Sequence, residues 1–531
     1  MGNIENIVIV GGGSAGWMTA SALIKFFPNK NITLIESPST PPIGVGESTY
    51  EGIRYFCSLL DIDNNSFFAH TDASIKISIV FKNFYKENGE PEFQYPFGPP
   101  MLEGTKWGLE DWLIKKVIYP ETPNPEYAES YFPQAFLAKH GRFSDNEHGE
   151  FNNFRPELDT ALHFDAIKFG GWLREHYAVP KGVKHISKEV SNIETFELGV
   201  SSLTLDDGSK ISGDLYIDCT GFSSLLIGKT LQENFISYTH ILPNDSAWAT
   251  RLSYIDKESE LRPVTTCTAL KNGWVWDIPL WSRLGTGYVY SSKYINDEDA
   301  LEEFKKHLMS EDMKIPRSKE VVESLEYKKI NMRVGIYEKT WSKNVVAIGL
   351  SAGFIEPLES NGLFTVYEFL YQLIRALSRE KTTRWDIDVY NKSTKEIYDR
   401  FVNFIRIHYS LSIRDDSAYW KDNFNKTNYF DKSLLLSNNL SHIESLYESK
   451  TSKFVPFNRG GITWISSGMD YHILDKVATL HTELTNGMSY KKDLNMYFCE
   501  LDKKRVVWEN NALLSPTLYK YLKNRFYKNE H

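Results

Sequence analysis

The first thirty-six residues constrain this chain more than any other stretch. Ile4–Val10, IENIVIV, is dominated by apolar and β-branched side chains, the pattern of a short buried strand. Gly11-Gly12-Gly13-Ser14-Ala15-Gly16 follows at once, and Trp17–Leu23 then has helical composition. Asn31–Ile35 reads as a second strand and ends in Glu36, twenty residues after Gly16. A strand, a G-x-G-x-x-G turn, a helix, a second strand and an acid open a doubly wound α/β fold that binds a dinucleotide. Gly11 permits the tight turn, Gly13 lets the backbone approach a pyrophosphate, and Gly16 lets the helix close on the strand. The pyrophosphate then meets the helix N-terminus at Ser14 and Ala15, while Glu36 accepts from ribose hydroxyls.

The remaining strands of such a sheet are scattered. Leu203–Ser212 reads as a hairpin turning at Asp207-Gly208. Leu215–Cys219 and Val345–Ile348 are further buried strands, the second ending in Gly349. The 531 residues therefore read as one nucleotide-binding body built from distant segments, with substrate elements inserted, and not as a row of separate domains. Residues 91–133 hold eight prolines and are predicted to be mostly ordered loop. Residues 424–454, rich in Asn, Ser and Lys, are predicted to lead into a helical C-terminal tail.

Composition narrows the function. A net charge of −9 without long basic runs argues against a nucleic-acid surface. No uninterrupted apolar run approaches the ~20 residues of a membrane helix. Four widely spaced cysteines without a CxxC pair, and a start lacking the basic region of a signal peptide, fit a cytoplasmic protein. The thirteen histidines show no ligand spacing, so no metal is expected. The 14% aromatic content is high, and composition alone leaves open whether the rings fill the core or line pockets.

One aromatic segment is more specific. Residues 273–280 read Gly-Trp-Val-Trp-Asp-Ile-Pro-Leu. Two Trp at i and i+2 on an extended segment share a face, either as one wall of a cavity or as two rings of a core strand. With this motif the chain resembles the flavin-dependent halogenases of the tryptophan-halogenase type. Their signatures, GxGxxG followed by Trp and GWxWxIP, stand here as Gly11-Gly13-Gly16-Trp17 and Gly273-Trp274-Trp276-Ile278-Pro279. Ile43–Ser48, Leu162–Ala166, Tyr216–Gly221, Gly287–Ser291 and Arg414–Ser417 with Trp420 match further family blocks. The resemblance runs over roughly residues 4–420 and fades after about 425.

The resemblance implies an FAD-binding fold of the glutathione-reductase-like or monooxygenase-like kind. Residues 1–425 would form the FAD-binding body with inserted substrate elements, and 426–531 a mainly helical region covering the substrate. Gly46, Glu47, Ser48 and Gly349 would add flavin contacts. FAD would be used as FADH2, supplied by a separate flavin reductase, and would react with O2 and halide to give hypohalous acid. A small aromatic of indole or phenol type would be the substrate, and a homo-oligomer is left open.

The family's essential lysine falls on Lys76 in Ala73–Phe84. By residue pattern alone, Ile75, Ile77, Ile79 and Phe81 form one strand face, and Lys76 lies on the other, solvated or lining a tunnel. A second family lysine is Val80 here, with Lys82 a substitute on the same face. The other segment is Gly353-Phe-Ile-Glu356-Pro-Leu-Glu359-Ser360-Asn361-Gly362-Leu363. Leu363, Val366, Tyr367, Leu370, Leu373 and Ile374 repeat at helical spacing behind it, so Ser360 is predicted near a helix N-terminus. The resemblance makes Glu359 the catalytic carboxylate, Ser360 its neighbour, and the N–H groups of Asn361 and Gly362 a halide site; without it, Glu356 and Glu359 are plain first-turn helix acids. Asn361 replaces the family's usual Thr, which bears on halide preference. Trp274, Trp276, Ile278 and Pro279 would wall the path of hypohalous acid towards Lys76. Tyr95 stands where tryptophan-specific members carry a ring-binding His, Phe97 is retained, and Trp464 is a candidate third lining ring, so a relaxed substrate range is expected. The alternatives are a flavin monooxygenase hydroxylating an aromatic, and a non-catalytic flavin-binding protein.

Overall fold

In a computed structural model of the protein, residues 4–39, 47–63, 66–87, 92–105, 110–145, 154–425, 460–470 and 488–528 are described. They divide into two units. The first comprises Met1–Ala73, Leu162–Ala249 and Lys328–Val402, and the second Ser74–Ala161, Thr250–Tyr327 and Asn403–His531.

The apolar run at the N-terminus forms the strand Asn6–Val10, whose last four residues are buried. It is central in a six-stranded sheet, ordered Trp341–Ser342, Val345–Ala347, Leu215–Asp218, Asn6–Val10, Asn31–Glu36, Lys184–Ser187. All pairings are parallel except the first, which closes a short hairpin. Ile7 stands beside Leu215 on one side and Ile32 on the other, so both neighbours of the first strand are apolar. Central parallel strands are covered on both faces, which is why they read as unbroken hydrophobic runs. The expected hairpin is present, with Gly199–Leu205 antiparallel to Lys210–Ile211 and Gly208 at φ 82° in its turn. A smaller antiparallel sheet, Phe235–Ser237, Gly335–Tyr337 and Gly353–Phe354, delivers the segment that leads to Glu359.

The second unit is built on Leu284–Tyr290, Gly273–Pro279, Val264–Ala269, Ser78–Lys82 and Phe93–Pro96, adjacent in that order. Only Val264–Ala269 with Ser78–Lys82 is parallel. The C-terminal part is helical: Gly460–Gly468, Met488–Leu514 and Leu518–Arg525. Its end is fixed by rings, Tyr527 stacking on Trp281 with centroids 4.0 Å apart and planes within 3°.

The proline-rich stretch departs from the loop expected of it. It contains the strand Phe93–Pro96 and the helices Glu110–Ile118 and Glu126–Tyr131, with Gln134–Lys139 directly after. Pro125 and Pro133 occupy the N-cap positions of the last two. There the missing N–H breaks no helical hydrogen bond, so these prolines start helices instead of preventing them. The expected linker lies almost wholly outside the described residues, as do Gly46 and its neighbours Ile43–Val45. No helix among the described residues is long and apolar enough to cross a membrane.

Candidate active site

In the first unit the glycine turn has the geometry its spacing predicts. Gly11 sits at φ 112°, and a side chain there would begin 2.2 Å from the Cys219 carbonyl oxygen. One on Gly16 would begin 1.9 Å from the carbonyl oxygen of Gly11. Gly13, by contrast, has nothing within 4 Å of the place its Cβ would take, which leaves open the approach a pyrophosphate needs. The helix Ser14–Phe26 begins there without a side-chain cap, so its first N–H groups stay available to an anion. Ser14 points its hydroxyl to the Ala166 carbonyl at 2.8 Å, and so ties the turn to the helix Ala166–Leu173. Gly349, at φ 70°, brings the loop after the late strand to Ala15, whose Cβ lies 2.9 Å from the site of a side chain.

Glu36 ends its strand as expected, and its carboxylate already has neighbours. Oε2 is 2.9 Å from His185 Nε2 and 3.7 Å from Arg174. The spacing of the glycine motif gives no hint of either, because they arrive from a neighbouring strand and from the turn that extends the 166–173 helix.

The segment carrying Glu359 meets another expected block. The helix is Asn361–Leu377, with Ser360 at its N-cap in the left-handed region, φ 59°. Glu356 and Glu359 thus precede the helix, and its first turn holds no acid, so they are not ordinary dipole-satisfying residues. The Ser360 hydroxyl pairs with that of Ser48 at 2.9 Å and makes no capping bond to the helix. Glu47 Oε2 lies 3.5 Å from where a Gly362 side chain would start. Burial, with the Asp165 charge adding to it, pushes the Glu47 carboxyl up to about 7. Glu359 is buried, and the buried Glu356 accepts from Asn244 Nδ2 at 2.7 Å. Asn244 belongs to no chemical pattern in its own stretch of sequence, and Asp165, although inside the block Leu162–Ala166, carried no role there.

In the second unit, Lys76 closes the strand Ser74–Lys76 and is wholly buried, its Nζ 5.0 Å from the centre of the Phe97 ring. The solvated strand face is therefore excluded. The expected continuous strand breaks at Ile77, whose N–H donates to the Pro263 carbonyl, and resumes as Ser78–Lys82. Ser78 and Val80 are buried as well. Lys82 is engaged elsewhere, donating to the Asp312 carbonyl and lying 3.4 Å from Glu92.

The Ser74 hydroxyl donates to the Pro279 carbonyl, which joins the lysine strand to the end of the two-Trp strand. On that strand Trp274 and Trp276 are buried, with ring centres 6.3 Å apart at 62°. Ile278 and Pro279 continue the same buried strand. Trp276 Nε1 is a buried donor without a hydrogen-bond partner. Tyr95 meets Phe97 edge to face at 6.0 Å, and both are buried. Trp464, on Gly460–Gly468, packs against Tyr127 and Phe132 at 4.9 and 4.8 Å. Among the described residues no group of three or more His, Cys, Asp or Glu is placed to hold a metal ion.

A family model described as tryptophan halogenase matches residues 6–458. The chain belongs to the tryptophan halogenase family. It is 33% identical to tryptophan 6-halogenase SttH of Streptomyces toxytricini over 79% of this chain and 81% of that one. It is 31% identical to tryptophan 7-halogenase RebH of Lentzea aerocolonigenes over 80% and 79%. Among solved structures, VirX1 in its apo form superposes with a TM-score of 0.87 at 36% identity, covering 99% of this chain and 100% of that one. BrvH, a flavin-dependent halogenase from Brevundimonas sp. BAL3, gives 0.81 at 28% identity over 98% and 99%.

As a member of the tryptophan halogenase family, the protein is a flavin-dependent halogenase of aromatic substrates, an oxidoreductase working with reduced FAD, O2 and halide. Its need for a flavin reductase follows from the same membership. The residues fit FAD: the space beside Gly13, the uncapped helix at Ser14 and the acid at Glu36 suit a pyrophosphate and a ribose.

Proposed function

We propose that this tryptophan halogenase family member halogenates electron-rich indoles or phenols with a relaxed range, using Lys76 and Glu359 as its two chemical groups. Gly11, Gly13, Ser14, Ala15, Gly16 and Glu36 would hold FAD, assisted by Gly46, Glu47, Ser48 and Gly349. Reduced FAD together with O2 would supply the oxidising equivalent that turns halide into hypohalous acid. Halide would wait at the N–H groups of Asn361 and Gly362, where the positive end of a seventeen-residue helix favours an anion.

Trp274, Trp276, Ile278 and Pro279 would keep hypohalous acid away from bulk water. A neutral Lys76 amine reacting with it forms an N–halogen bond and releases water. Transfer of that halogen to an aromatic carbon would leave the nitrogen one proton short; Glu359, positioned by Ser360, would take the ring proton, whose return to that nitrogen restores the neutral amine and the carboxylate. Tyr95, Phe97 and Trp464 would accept a flat ring without the side-chain recognition that a free amino acid demands. The protein would act in the cytoplasm, where a reductase can deliver FADH2.

The observation that carries this reading is the complete burial of Lys76 over the Phe97 ring. Lys76→Ala is expected to abolish halogenation of indole, assayed with a flavin reductase, NADH and bromide, while FAD binding persists. Full halogenation by that variant would remove Lys76 from the mechanism.

A further inference from the structure

The first turn of the helix Asn361–Leu377 carries an oddity that halide binding alone leaves unused. Two acidic groups stand near a place meant for an anion. One, Glu359, has a role in the reading above. The other, Glu47, reaches within 3.5 Å of where a Gly362 side chain would begin. It is held there by its ladder, in which Glu47 pairs with Phe164 and Ser48 with His163, and by the bond between the Ser48 and Ser360 hydroxyls.

At the same turn, Asn361 is 2% exposed and its side-chain oxygen has no hydrogen-bond partner. A buried polar atom in this state calls for a ligand or for a turn of the amide, which would present its NH2 donor instead. A carboxylate and a halide would compete for the same positive helix end, because both are drawn to its unpaired N–H groups. The two anions also repel each other across a short distance in a poorly solvated setting.

We propose that Glu47 couples anion binding at this helix N-terminus to the uptake of one proton, so that halide enters as the Glu47 carboxyl becomes neutral. The proposal rests on the reading of Asn361 and Gly362 as the halide site. The charged group that Glu47 feels is Asp165, which follows its partner strand and accepts from the N–H groups of Ile167 and Lys168. From the helix side come Gly362, Asn361 and Ser360, with Glu359 just before them; His163 stands opposite Ser48. Burial and Asp165 both favour the neutral acid, and they bring its titration to about 7, where one proton more or less decides the occupancy.

The test is the apparent bromide affinity of the FAD-loaded protein, read from the rise in melting temperature with bromide at constant ionic strength. For a single linked proton with its midpoint near 7, wild type is expected to bind bromide about tenfold more weakly at pH 8 than at pH 6. Glu47→Gln should bind equally well at both. Asp165→Asn, which keeps a helix-capping side chain, should move the midpoint to lower pH. This second variant decides the matter if Glu47→Gln does not fold. Equal wild-type affinity at pH 6 and 8, or a wild-type slope retained in Glu47→Gln, overturns the coupling and leaves the halide site standing. Absence of saturable bromide binding at every pH in all three proteins overturns the halide site and the coupling together.

Discussion

The two units hold their functional groups by different means. In the first, the cofactor turn is a matter of backbone: Gly11, Gly13 and Gly16 act by having no side chain, and neighbouring carbonyls occupy the space a Cβ would take at two of them. In the second, Lys76, Glu260, Asp277 and Arg317 are ionisable side chains within a sheet and its covering segments, nearly all of them withdrawn from solvent. Backbone cradles tolerate no added atom, whereas buried polar side chains tolerate no lost partner. Substitutions in the two units should therefore fail in different ways.

The largest effect is expected in the cradle. Gly16→Val places branched carbons against the Gly11 carbonyl, 1.9 Å from the first of them, and should leave no FAD on the protein after gel filtration. Normal flavin retention would mean that the turn can open, and the contrast with Lys76→Ala, which should keep FAD, would collapse.

Next comes the buried ion pair of Arg317 with Glu260, whose side chains are 1% and 2% exposed. Glu260 also accepts from the N–H groups of Ile255 and Asp256. Glu260→Gln strands the guanidinium, and a loss of about 3–5 kcal/mol in urea unfolding is expected. A loss below about 1 kcal/mol would show that the second unit does not depend on its buried charges.

Asp277 should respond in the opposite direction. Its carboxyl is raised to about 6, chiefly by burial and against the pull of Thr286, Lys82 and Arg317. Because the folded value exceeds the unfolded one, the native state is penalised as pH rises from about 4 to 6, and the penalty then stays constant. Asp277→Asn should thus match wild type in stability near pH 4 and exceed it by roughly 1–3 kcal/mol at pH 7. A difference independent of pH would place the cause in packing.

The smallest change belongs to the exposed Lys395–Asp399 pair of the first unit, 2.7 Å apart on a helix surface. Lys395→Ala should cost no more than about 0.5 kcal/mol. A larger loss would show that the first unit, too, leans on charge.

The same difference governs what could be read beforehand. The strand Asn6–Val10, the turn, the helix and Glu36 are local in sequence and follow rules of spacing, so their placement was legible. Gly349 beside Ala15, and Ser48 on Ser360, were foreseeable as blocks but not as contacts. The second unit was harder. Alternation along Ala73–Phe84 implies one buried and one open face, yet Lys76, Ser78 and Val80 are as buried as their isoleucine neighbours, so period two carries no signal there. Across 91–133 the number of prolines points to loop, whereas the positions of Pro125 and Pro133, at helix N-caps, are ones where proline is compatible with a helix. Asn244 at Glu356, and Arg174 and His185 at Glu36, come from segments brought close only by the tertiary fold.

The interleaving of the units has a consequence for synthesis. Asn6–Val10 leaves the ribosome early, but its partner Leu215–Asp218 follows some two hundred residues later, and the next strand, Val345–Ala347, later still. Throughout that interval an apolar strand has one of its two edges unsatisfied, in a topology whose long-range pairings form slowly. An open apolar strand edge is a template for mispairing, so the growing chain carries an aggregation hazard that the finished sheet, with this strand in its interior, does not.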